Sequence, residues 1–131
     1  MPFYKLSELE KKPAEVAEGS MQTVPGELMK AGVFTYPEGP GPPAHFHPNE
    51  EQFALVLEGK LHMALGDEDK ILGPGDLIHV PRNTIHGMRV LEGPAVLFTA
   101  KSPAGDGSLT QDYCVADNAD EIRERLSAAG G

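Results

Sequence analysis

Turn-forming residues recur so often in this chain that long helices are excluded over most of it. The sequence holds 15 Gly and 12 Pro in 131 residues, clustered between short apolar runs. Glycine reaches backbone conformations closed to other residues, and proline breaks helices and central strands. A disordered chain can share this composition. The apolar runs between the clusters argue instead for short strands joined by tight turns.

Residues 1–20 read as a polar arm, with Ser7 and Glu10 as a capping box for one helical turn that Pro13 stops. The arm reads as an ordered or frayed tail, or as a segment that packs on a second subunit. Pro25-Gly26 marks a turn, and residues 27–36 read as a strand. Met29, Ala31, Val33 and Thr35 then share one face, with Lys30, Phe34 and Tyr36 on the other. Residues 37–43 are too proline-rich for helix or central strand and read as a stiff loop. The clearest strand is 52–58, which Gly59 turns into 60–65. Gly66-Asp67 and Gly73-Pro74-Gly75 are turns, and 76–80 is a strand ending at Pro81. Strands 85–91 and 95–101 are split by Glu92-Gly93-Pro94, and 109–115 is a last strand. Asp117 to Glu121 supply an N-cap and an acidic first turn, with Ile122, Leu126 and Ala129 on one face and Glu121 four before Arg125. The expected organisation is one domain over 1–131: an arm at 1–20, an all-β body at 27–115 and a helix at 117–130.

The charge balance narrows the partners. Lys+Arg 11 against Asp+Glu 20 gives −9, with no basic patch, so neither nucleic acid nor an anionic membrane surface is expected. No apolar run approaches membrane-spanning length. The start lacks the basic and apolar regions of a secretion signal, and the single Cys114 cannot form an internal disulfide. A cytoplasmic protein is expected.

Chemistry concentrates at His45-Phe46-His47. Alternate residues of a strand point the same way, so the two imidazoles project together. A carboxylate or amide follows at Glu51 or Gln52, and a third imidazole, His86, follows the turn from Pro81 to Thr84. Three imidazoles with one oxygen donor suit a first-row transition metal and leave positions open for substrate. His62 and His79 lie in other strands and read as surface or rim residues. Cys114 reads as a small buried hydrophobe.

The spacing resembles the cupin family. Its first motif runs Gly, five residues, His-x-His, three or four residues, Glu or Gln, six residues, Gly; Gly39, His45, His47 and Gly59 match it. Its second runs Gly, five residues, Pro-x-Gly, two residues, His, three residues, Asn; Gly75, Pro81 and His86 match it. Asn83 stands for the Gly of the Pro-x-Gly step and Val90 for the final Asn. The resemblance implies a jelly-roll barrel (a double-stranded β-helix) with a short C-terminal helix. It also implies one divalent transition metal per chain (Fe, Mn, Ni or Zn), a small-molecule substrate and a homodimer that covers edge strands.

Counting from His47 makes Glu51 the fourth ligand, whereas counting back from Gly59 makes it Gln52. Strand phase groups Gln52 with Ala54 and Val56, and Glu51 with the bulkier Phe53, Leu55 and Leu57. That favours Gln52, with Glu51 the alternative. Ala54, Val56, Met88 and Tyr36 are the expected pocket lining. Lys101 and Tyr36 end strands of undetermined phase and read as exposed, although either suits a substrate carboxylate. Of Glu50 and Glu51, one is expected in solvent and the other hydrogen-bonded to a ligand histidine.

For function the resemblance implies a metal-dependent enzyme: dioxygenase-like, or an isomerase or lyase on a sugar acid or keto compound. Small pectin-pathway cupins have a ligand set similar to His45, His47, Gln52 and His86. Their Asp-x-Phe-Ser-Pro stretch is Thr99-Ala100-Lys101-Ser102-Pro103 here, which counts against the same reaction. The alternative is a non-catalytic barrel that binds a metal or small ligand. A metal-free barrel with a histidine base is the weakest reading, because three histidines lie in phase.

Overall fold

A computed structural model describes residues 3–130, with side chains through Ser127. A 3₁₀ turn at Leu6–Glu8 precedes β1 (Lys12–Pro13), β2 (Ser20–Pro25), β3 (Lys30–Tyr36), β4 (Gly39–Pro40) and β5 (His45–Phe46). Then come β6 (Glu51–Leu65), β7 (Glu68–Leu72), β8 (Leu77–Val80), β9 (His86–Ser102), β10 (Cys114–Val115) and the helix α1 (Ala119–Gly130). All ten strands belong to one curled sheet, a jelly-roll barrel. No helix among the described residues is long and apolar enough to cross a membrane.

The frame is the antiparallel pair β6–β9, which runs from Glu51↔Ser102 to Leu65↔His86. Neither strand breaks where the sequence places a turn. Gly59 is not a hairpin turn, and Glu92-Gly93-Pro94 does not separate two strands. Both segments are bends within continuous strands, and the pairing register shifts between Val56 and Leu61. Gly59 makes this feasible with a φ of 87°. A Cβ there would lie 2.6 Å from the Pro94 carbonyl oxygen and 2.8 Å from the Ala95 Cα, so the two bends nest. Such irregularities curl a sheet, and here they bring its ends toward closure. β9 also pairs with β3, β4 and β5, while β6 also pairs with β7 and β8.

Alternation then sorts the side chains. Phe34 and Tyr36 of β3, Ala54, Val56, Leu61 and Met63 of β6, Ile78 and Val80 of β8, and Val90, Ala95 and Leu97 of β9 form the core. The opposite face of β6 and β9 turns Phe53, Leu57 and Phe98 outward.

Several expectations change. The segment before β3 is not a free arm: β1 pairs with β2, β2 with β3, and Ala14 is fully buried. Lys5, not Ser7, caps the 3₁₀ turn, without a side-chain bond. The proline-rich loop contributes β4, whose Gly39 pairs with Val90 at a sheet edge where proline is tolerated. Only Cys114–Val115 of the expected last strand pairs, against β5; residues 103–113 form a loop that folds back over the barrel. The helix begins at Ala119 and buries Ile122 and Leu126 against Ala44, Ala64 and Ala116. Ala129 lies outside the described side chains. Arg125 pairs with Asp69 of β7 at 3.4 Å.

The nested bend predicts unequal glycine substitutions. Gly59→Ala meets both a positive φ and backbone atoms, whereas Gly75→Ala meets a φ of 94° but nothing within 4 Å. Denaturant unfolding should show a loss of about 1–2 kcal/mol for Gly75→Ala and a distinctly larger one for Gly59→Ala.

Candidate metal centre

Three histidines converge inside the barrel because the short strand β5 meets the start of β9 there. His45 lies in β5, opposite His86 at the start of β9. His47 follows two residues on, and the rigid Pro42-Pro43 approach limits the paths the chain can take into β5. Ring centroids lie 4.3 Å apart for His45 and His86, 4.9 Å for His45 and His47, and 5.1 Å for His47 and His86. One ring nitrogen of each lies within 4.8 Å of the others.

Hydrogen bonding sets which nitrogen is free. The Nδ1–H groups donate to main-chain carbonyls: His45 to Pro43 at 2.7 Å, His47 to Asp112 at 2.9 Å, and His86 to Thr84 at 2.9 Å. A carbonyl only accepts, so each Nδ1 carries the proton and each Nε2 keeps its lone pair. The Nε2 of His47 is buried with no partner. Gln52 lines the same cavity, and its Oε1 is also buried without a partner. Glu51 points away to the surface and meets the His79 Nε2 at 2.7 Å. Orphaned acceptors of this kind in a buried cluster are the donor set a transition ion requires.

Burial acts on the same groups. It pushes the pKa of His47 and His86 down from 6.5 to about 4 and that of His45 to about 2, and neighbouring cations add to the effect. The imidazoles are therefore neutral at pH 7, the form that ligates.

The cavity they line has a volume of about 70 Å³, well below that of pockets for drug-sized ligands, so it admits only a few heavy atoms. Tyr36, Ala54 and Met88 line it, while Val56 shares the inward face but packs into the core without reaching it. Tyr113 stacks on His45 at 4.2 Å.

The largest departure from the sequence reading is at Lys101, while Tyr36 takes its expected place in the pocket lining rather than the exposed one. Neither is a surface residue: they are 3% and 6% exposed, and both line the cavity. The bend at 92–94 hides this. Even positions of β9 face inward before it (His86, Val90) and odd positions after it (Ala95, Leu97, Lys101). The Lys101 ammonium donates to the Leu109 carbonyl at 2.6 Å and lies 3.8 Å from Glu50. Burial lowers its pKa to about 8, against the pull of Glu50. The Tyr36 hydroxyl shifts upward, first through burial and then through Tyr113.

Glu50 does not hold a histidine. It is buried and pairs with the equally buried Lys30 at 2.8 Å. His62 is buried rather than at a rim, 3.3 Å from Asp69. His79 is exposed and stacks on Phe53. Cys114 is half-buried in β10. Sequence reasoning missed Asp112, which lies in a loop without a motif. Its backbone holds His47, and its carboxylate accepts from the Asn49 and Glu50 backbone N–H groups at 2.6 and 2.9 Å. Its φ of 59° is a conformation that Asp adopts more readily than most residues.

The model of the cupin domain family matches residues 32–100, a span that holds all three histidines. The chain belongs to the cupin family. Among solved cupin structures, KdgF from Halomonas sp. superposes with a TM-score of 0.72 at 24% identity, covering 79% of this chain and 94% of that one. An RmlC-like cupin from Shewanella frigidimarina gives 0.68 at 24%, covering 78% and 90%. Oxalate decarboxylase from Bacillus subtilis gives 0.69 at 17%, covering 95% of this chain but 37% of that one. Quercetin 2,3-dioxygenase of Bacillus subtilis is 37% identical over 46 residues; the match spans 14% of that protein's length and 35% of this chain. The structural likenesses establish the fold.

The neutral imidazoles give this cupin an acid limit. Each buried histidine has a folded-state pKa below its unfolded value, so the unfolded chain takes up protons first as pH falls. Stability from this source is fully present above the unfolded value of 6.5 and is lost as pH drops toward the folded values of about 4. In chelator, Tm should fall from pH 7.5 to pH 4.5, with a shallower slope for His86→Asn. An identical slope in that variant overturns the assignment.

Proposed function

We propose that this cupin holds one divalent transition ion between His45, His47, His86 and Gln52, and that it acts there on a small organic substrate. The observation that carries the proposal is the tying of all three Nδ1–H groups to carbonyls, which leaves three Nε2 lone pairs beside the unpartnered Gln52 oxygen. Glu51 is the alternative fourth ligand, and its outward contact with His79 speaks against it. When bound, iron, manganese, nickel or zinc supplies Lewis-acid polarisation of a substrate oxygen, with oxygen chemistry added for iron. All four donors are neutral, so the ion's charge stays uncompensated by the protein and favours an anionic oxygen. Met88 and Tyr113 narrow the cavity around the substrate.

The quercetin 2,3-dioxygenase match supports dioxygenase-like turnover, while isomerase or lyase chemistry on a sugar acid or keto compound rests on the motif resemblance alone. Metal and ligand binding with no turnover on such substrates would instead favour a sensing or storage barrel. The same proposal includes a reducing, cytoplasmic setting, in keeping with the single unpaired cysteine.

Mass spectrometry of untagged protein should find close to one Fe, Mn, Ni or Zn per chain. His86→Ala should lower that content about tenfold or more. Gln52→Ala should weaken metal retention while Glu51→Ala leaves it intact; the reverse pattern reassigns the ligand, and a metal-free wild type sinks the proposal.

A homodimer is proposed on the outer sheet face. Leu55 sits between Leu77 of β8 and Phe98 of β9, and Phe53, Leu57, Leu77 and Phe98 are 43%, 42%, 66% and 41% exposed. Contiguous apolar surface of this kind marks an interface. Sedimentation should give twice the 14.0 kDa chain mass, falling to the single mass in Phe98→Glu. A wild type that sediments at the single mass removes the dimer.

A further inference from the structure

Among the described residues Glu50 is the one fully buried carboxylate, and two buried lysines face it. Lys30 takes it, with Nζ 2.8 Å from Oε2 and a second bond to the Gln111 Oε1 at 3.1 Å. Lys101 stands 3.8 Å from the other oxygen, beyond hydrogen-bond reach, and its one bond goes to the Leu109 carbonyl at 2.6 Å. An ammonium carries three donors, so Lys101 has donors left over. The buried set Lys30, Glu50 and Lys101 thus carries an excess positive charge. Burying an incompletely paired cation is costly, and the Leu109 carbonyl with the attraction of Glu50 and Asp112 uses only part of what Lys101 can donate.

Its position gives the spare donors a role. Lys101 pairs with Gln52 across β6 and β9, and both side chains line the cavity that holds the three histidines. We propose that Lys101 is the anchor for a carboxylate, and that the cavity takes a small hydroxy- or oxo-carboxylate. The Lys101 ammonium binds the carboxylate while the neighbouring hydroxyl or carbonyl oxygen faces the histidines. This rests on the metal reading above and adds a substrate class to it. Leu109 and Glu50 position the ammonium, one by hydrogen bond and the other by charge. A neutral substrate of the same shape leaves both the cation and the ion uncompensated, so the cavity discriminates by charge.

Lys101→Met removes the anchor and leaves Lys30 and Glu50 as a balanced pair, so the variant should fold. Wild type and K101M are loaded with Co²⁺, and cobalt content is measured. Glycolate and its neutral counterpart, ethylene glycol, are then titrated by calorimetry and by the cobalt visible spectrum. Both proteins should hold the same cobalt. Glycolate should bind K101M about tenfold more weakly or worse, the loss expected for a charged hydrogen bond, with ethylene glycol unchanged. Equal glycolate affinity in the two proteins overturns the proposal. So does a lower Tm with unchanged glycolate binding, which would make Lys101 a structural tie to the 103–113 loop. If wild type takes no cobalt, the metal reading falls. Glycolate calorimetry on the metal-free pair then still decides Lys101, whose own charge must preserve the preference. Lys101→Gln, which can still donate to Leu109, repeats the comparison if K101M fails to fold.

Discussion

The pairing of β6 with β9 governs nearly everything else in this molecule. It is the longest ladder in the sheet, and both strands bend at the same level without parting. Two straight strands of that length would form a flat ribbon with two solvent faces. Bent together, they curl the sheet so that one face becomes an interior. The bend also resets which residues of β9 face that interior. His86 at one end and Lys101 at the other consequently reach a single cavity, although their separation in sequence is odd.

Burial then acts on these groups in two directions. The imidazoles respond by staying neutral, which suits them as ligands. The lysines respond by gathering around Glu50, and the gathering is lopsided, one close pair and one distant neighbour. A cavity with neutral metal donors and a surplus ammonium is polarised toward anions. The chain's overall charge is −9, so this local field runs against the global one, and the cavity is a distinct electrostatic compartment.

Much of the site was legible in sequence because it depends on short-range rules. The His-x-His alternation, the Pro81 turn before His86 and the phase of Gln52 are all local, and the structure places these side chains around one cavity. What escaped depends on distant contact. Gly59 looks like a hairpin turn until the neighbouring bend at Pro94 is seen to nest against it. Lys101 looks exposed because its phase passes through that bend. Glu50 looks like a partner for a histidine because Lys30, twenty residues earlier, cannot be foreseen beside it. Asp112 carries no pattern at all: its contribution to His47 is a backbone atom in an irregular loop.

That last point reaches further. All three imidazoles are oriented by main-chain oxygens, from Pro43, Thr84 and Asp112. Every residue type brings the same carbonyl, so the orienting groups are indifferent to side-chain identity. An alanine scan removes none of these oxygens, and it disturbs them only where the side chain also holds the loop, as at Asp112. The surrounding loops can drift in composition while the histidines keep their aim, provided the backbone follows the same path. Loop length is therefore guarded as closely as loop chemistry around this centre, because an insertion or deletion moves the carbonyl that a substitution leaves in place.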